Sequence, residues 1–236
     1  MHKAEPHTIA KIEILQSYLV AWFQIFGQSR SRRDQDLLYV DGFAGPGEYT
    51  NHPIGSPLAA LTAAQHAIEL TGIRWIAGDV HCAFIEPDLE RYKNLEQKIG
   101  SFDKPAMIVT HAYPETFTRG LESLKKDIPQ PFSSQHPLFV FIDPFGATGV
   151  PFSVVAELLK SPCSEVLINL DADGIARIFQ AGESAAHEKN LNEIFAGDEW
   201  KPLFDAGDPF EVLCRKVLQL YKTKLGHRKG SIRVSI

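Results

Sequence analysis

Residues 37–49 read LLYVDGFAGPGEY. Three apolar residues and a tyrosine run into Asp41, and Gly42, Gly45 and Gly47 follow. A short apolar run bounded by turn residues marks a buried strand. Glycines just beyond it permit positive φ and close approach of the main chain to a ligand. The stretch predicts a strand that delivers a carboxylate and a tight loop to a sheet edge. Taken alone, the loop reads equally as a cofactor loop or a plain turn. It does not match the GxGxxG fingerprint, because no third glycine follows Gly45 and Gly47 until Gly55, and no Gly-Lys-Ser/Thr makes it a P-loop.

Outward from this loop the pattern alternates. Before it, residues 8–26 place Ile12, Leu15, Leu19, Trp22 and Phe26 on one helical face, with Thr8 as the expected N-cap. A basic linker with Arg30, Arg32 and Arg33 follows. After the loop come a helix over 56–70 with Ser56 as N-cap, a strand over 80–86, a helix over 87–99 and a strand over 106–112. A helix over 115–127, a strand over 137–143, a helix over 151–161 and a strand over 164–171 continue the series. Residues 172–208 show no clean periodic face and read as an insertion; a helix over 209–225 and a last strand, SIRVSI, close the chain. Alternating strands and helices with short loops predict an α/β fold, a mostly parallel sheet with helices on both faces. The expected organisation is an N-terminal helix and linker over 1–36 and a main domain over 37–236. The chain stops inside a strand, so it is expected to be truncated at Ile236.

With 236 residues, 44% hydrophobic and 22% charged, the chain can bury a sizeable core. Its formal charge of −5 argues against a surface coated for non-specific nucleic-acid binding, so such contact needs a local basic patch. Cys82, Cys163 and Cys214 are widely spaced with no CxxC, so neither a disulfide framework nor a metal site is expected and a cytoplasmic location fits. No run approaches 18 apolar residues, and no membrane contact is expected.

In such sheets ligands bind beyond the carboxyl ends of the strands. After strand two stands Glu86, which reads as an acceptor for a ribose diol or as a carboxylate at a helix N-terminus. After strand three, Thr110, His111 and Tyr113 read as an adenine pocket or as polar strand-end residues. After strand four, Asp143-Pro144-Phe145-Gly146 places a carboxylate, a fixed φ and an aromatic face together. That group suits an amine donor and a stacked base, or a turn that caps the next helix. After strand five, Arg177 reads as an anion contact or as the partner of Asp173.

Together these strand ends resemble the class I S-adenosylmethionine-dependent methyltransferases. Asp41 with Gly45-Pro46-Gly47, Glu86, and Asp143-Pro144-Phe145 fall where that family has its acidic and Asp-Pro-type motifs. DGFAGPG is similar to the D-x-F-A-G-x-G loop of DNA and RNA base methyltransferases. His7-Thr8-x-x-Lys11, YVDGFAGPGEY with GSPLAAL, and FIDPFG resemble the three-Cys-motif partner proteins over nearly the whole chain. These are bacterial and archaeal methyltransferase-like proteins named for a neighbouring Cys-rich partner.

The resemblance implies a Rossmann-like class I methyltransferase fold whose C-terminal hairpin is incomplete here. It implies S-adenosylmethionine held by Asp41, Phe43, Gly45, Gly47, Glu86 and His111. Asp143, Pro144 and Phe145 become the catalytic group, and Lys11 and Arg177 the substrate contacts. Two departures stand out. The aromatic at 145 is one place earlier than in Asp/Asn/Ser-Pro-Pro-aromatic motifs, and Pro162-Cys163 precedes strand five, where no cytosine-C5 nucleophile belongs. The expected function is methyl transfer to RNA or DNA. The alternative is an idle, cofactor-binding partner of a Cys-rich protein. A dehydrogenase is disfavoured by the broken GxGxxG.

Overall fold

A computed structural model describes residues 3–133, 135–146, 150–181, 184–203, 207–226 and 231–235. The chain divides into two compact units, Met1–Phe141 and Ile142–Ile236.

The first unit begins with helix α1 (Pro6–Gly27) and continues through β1 (Leu37–Asp41), α2 (Ser56–Thr71), β2 (Val80–Ile85), α3 (Leu89–Ser101), β3 (Ile108–Tyr113), α4 (Phe117–Asp127) and the short α5 (Gln130–Ser133) into β4 (Leu138–Ile142). The strands pair in the order β3-β2-β1-β4, and every pairing is parallel. All five residues of β1 and of β4 are buried, as strands covered on both faces must be.

Helices cover both faces of this sheet. On one, Tyr39, Phe84 and Phe139 form an aromatic layer that meets Tyr18 and Trp22 of α1. On the other, α4 comes so close that a Cβ on Gly120 would lie 2.7 Å from the Ile85 side chain. The arrangement is α/β and compatible with a Rossmann-like fold.

Several helix starts differ from the sequence reading. α1 begins at Pro6, two residues before Thr8, with Glu5 at the cap position and no side-chain cap bond. Proline suits this place because its missing N–H is one that a helix start leaves unpaired anyway. α2 is preceded by Gly55, so Ser56 is its first residue and not its cap. α3 waits until Leu89 because Asp88 caps it, its Oδ1 accepting from the N–H groups of Glu90 and Arg91.

Among the described residues α1 alone is long and apolar enough to cross a membrane. Its Leu15, Leu19, Trp22 and Phe23 are buried in the protein core. The linker arginines are partly structural: Arg32 donates to the Gln135 carbonyl and lies over the Phe26 ring.

The second unit holds α6 (Phe152–Leu158), β5 (Ser164–Asn169), α7 (Ala172–Gln180), α8 (Ala185–Phe195), α9 (Phe210–Leu225) and β6 (Ser231–Ser235). β5 and β6 pair in parallel. The stretch read as an irregular insertion contains α7 and α8, each started by a side-chain cap: Asp171 accepts from Gly174 N–H and Ser184 from His187 N–H. Asp208 makes a 2.6 Å ion pair with Lys216, and Pro209 takes the N-cap position of α9. Tyr221 of α9 packs edge-on against Phe152 in the core of this unit.

Candidate functional site

In the first unit β2 flanks β1 on one side and β4 on the other, so the chain reverses its progress across the sheet at β1. Such a switch point opens a crevice at the carboxyl ends of the strands. Asp41 stands at that end of β1 and is fully buried, its Oδ1 accepting from Phe43 N–H at 3.2 Å.

The glycine loop is pinned on both sides. Gly42 N–H donates to Phe141 O of β4 at 2.9 Å, and Ala44 N–H to Ile85 O of β2 at 3.0 Å. A Cβ on Gly42 would come within 2.7 Å of the Phe117 ring, so glycine is required where α4 crosses. Phe43 stacks on the same Phe117 ring, with centroids 5.5 Å apart.

Gly45 and Gly47 have φ of +63° and +85°, the left-handed region that favours glycine. Gly45 is buried, yet a Cβ there would meet no atom within 4 Å. On that side the main chain of the loop faces open space. Asn94 of α3 donates to Pro46 O at 2.6 Å, and Lys98 pairs with Glu48 at 2.7 Å. Asn51 bonds both the N–H and the carbonyl of Ala4, at 2.6 and 2.9 Å, which ties the N-terminal segment carrying α1 and Lys11 to the loop.

Gly55 closes the loop at its neck, its N–H donating to Gly47 O at 2.8 Å. A Cβ on Gly55 would lie 2.7 Å from that carbonyl oxygen, a main-chain atom that cannot swing aside. Gly55→Ala is expected to cost about 1–3 kcal/mol, as overpacking does. Urea unfolding measures it; an unchanged midpoint would mean that the neck relaxes freely.

Glu86 follows β2 and is 3% exposed. Its Oε1 accepts from Asp88 N–H at 2.9 Å, and its own N–H donates to Tyr113 O at 3.1 Å. Asp88, not Glu86, caps α3. Glu86 therefore stays a buried carboxylate one residue from Ile85, whose carbonyl holds the glycine loop. The structure brings Asp41, Phe43, Gly45, Gly47 and Glu86 together. His111 points elsewhere, pairing with His81 at 3.0 Å, and Tyr113 donates its hydroxyl to Asp127 at 2.8 Å. Burial, then the Asp127 bond, push the Tyr113 hydroxyl well above the usual tyrosine range.

In the second unit Asp143 follows β4, and Asn169 at the end of β5 donates to its Oδ1 at 2.5 Å. Pro144, Gly146, Ile168, Asn169, Ile194 and Tyr221 line a cavity of about 20 Å³, room for one water. Phe145 is 71% exposed. Arg177 pairs with Asp173 at 4.0 Å on an exposed helix face and lies over the Phe210 ring. No family model, curated protein or solved structure matches this chain.

Asn51, Gly55, Asn94, Phe117 and Asn169 join the candidate site only through contacts made in the folded chain. Asn169 alone carried a signal, an amide at the end of an apolar strand. The others act across the fold, where local pattern carries no sign of the partner.

Proposed function

We propose that the first unit binds S-adenosylmethionine and that the chain is a methyltransferase of nucleic acid. The observation that carries the reading is the left-handed glycine loop at the switch point, open at Gly45, with two buried carboxylates, Asp41 and Glu86, at the ends of adjacent strands. A carboxylate in the place of Glu86 suits the two hydroxyls of a ribose. Main-chain groups of a glycine loop suit the polar amino-acid end of the cofactor. The strand-end motifs that resemble class I methyltransferases support the same choice, and a cytoplasmic location belongs with it.

The bound cofactor supplies an electrophilic methyl group. Asp143 orients the accepting exocyclic amine and receives its proton, while Phe145 stacks the base. Lys11 and Arg177 contact phosphate. The test is incubation of the purified chain with labelled S-adenosylmethionine and total RNA, DNA or protein. Label entering RNA or DNA is the expected result. Label entering none of them, with the cofactor still bound, sinks the enzyme reading.

One observation favours a second reading. Asn169 already engages Asp143, the carboxylate assigned to the acceptor. A cofactor-binding but idle partner of a Cys-rich protein fits that geometry. Co-purification with such a partner, without transfer to any acceptor, is its signature.

A further inference from the structure

His81 and His111 sit on adjacent strands of the first unit, on the face covered by α4. His81 Nδ1 lies 3.0 Å from His111 Nε2, with ring centroids 5.2 Å apart and planes at 30°. At that centroid distance the rings meet edge to edge, nitrogen to nitrogen. Such a contact takes one hydrogen: one ring donates and the other must accept. A neutral pair satisfies it, and so does a singly charged pair. A doubly protonated pair does not, because two donors and two positive charges then face each other.

We infer that this imidazole pair is a proton-operated latch that fastens the outer strand β3 to β2 at neutral pH and releases it on acidification. The surrounding charges are placed to bias it. Asp36, ahead of β1, has Oδ2 3.7 Å from His81 Nε2, the nitrogen away from the pair. Its Oδ1 accepts from Asp79 N–H at 2.8 Å, so it is fixed on the turn into β2. Asp127, at the end of α4, acts on His111 and holds the Tyr113 hydroxyl. Across the sheet, buried Cys82 is raised to about 12, with Lys104 acting against that rise.

Burial first, and the neighbouring His81 second, hold His111 below the ordinary histidine range, with Asp127 pulling the other way. A depressed folded value means that the unfolded chain binds the proton first. The stability conferred is whole above about pH 6.5 and is lost as the pH falls through the lowered folded value. The strand that loosens is the one whose last carbonyl, Tyr113 O, receives Glu86 N–H. Release would therefore reach the rim of the glycine loop.

The test is amide exchange of residues 108–113 in the full chain at about pH 7.5 and about pH 5.5, corrected for intrinsic rates, in wild type and His111→Gln. Glutamine keeps a hydrogen-bonding group and does not titrate. Wild type is expected to lose protection on acidification, by up to about tenfold at about pH 5.5, roughly one unit below the ordinary histidine value, and His111→Gln is expected to hold it. An equal acid response in both proteins overturns the latch. Nitrogen-15 titration of the imidazoles in wild type decides the matter even if the variant does not fold. One ring must resist its proton well below the other, and two independent titrations in the ordinary range overturn the inference.

Discussion

Asp143→Ala is expected to slow methyl transfer by about 10²–10⁴-fold, the usual contribution of a positioned acid or base. The affinity for S-adenosylhomocysteine is expected to stay as it was. The residues assigned to the cofactor, Asp41, Gly45, Gly47 and Glu86, belong to the first unit, whereas Asp143 belongs to the second and is held by Asn169 at 2.5 Å. On the proposed reading, removing the carboxylate takes away the group that orients the acceptor and leaves the residues assigned to the cofactor in place. Single-turnover rates with labelled cofactor measure the first effect and calorimetry the second. An unchanged rate would remove Asp143 from the chemistry.

The largest expected loss of stability is at Phe139. Phe139→Ala is expected to cost about 3–5 kcal/mol, the range for emptying an aromatic site in a core. Its ring is fully buried in β4 and lies within 6.0 Å of the rings of Tyr18, Trp22 and Tyr39. These neighbours come from α1 and β1, two separate elements, so no single side chain can collapse into the space. Urea denaturation of the full chain measures the change. A loss under about 1 kcal/mol would mean that the aromatic layer repacks.

The strands were legible because burial on both faces leaves a plain record. Runs such as Leu37–Asp41 and Leu138–Ile142 are apolar throughout and end at a charge or a proline, and both are strands in the structure. Helix starts were less legible. Thr8 looked like a cap, but Pro6 opens the helix earlier. Residues 172–208 hid α7 and α8 because both are short: the face α7 buries, Ala172, Ile175 and Ala176, keeps helical spacing but runs over only nine residues.

In the candidate site the glycines and the two acids could be read from their places after strands. His111 shows the limit. It was placed beyond the third strand, yet it lies within β3, and its ring meets His81 on the neighbouring strand, 30 residues away in sequence. Gly55 shows another. Read along the chain it is only a late third glycine; in space its N–H closes the loop on Gly47.

The central claim, that the glycine loop and the acids beside it hold S-adenosylmethionine, is tested most directly by calorimetric titration of the wild-type chain with S-adenosylhomocysteine, with Glu86→Ala beside it. Saturable binding of one equivalent, lost or strongly weakened in Glu86→Ala, is the predicted result. No heat of binding to the folded wild-type chain, or binding indifferent to Glu86, would contradict it.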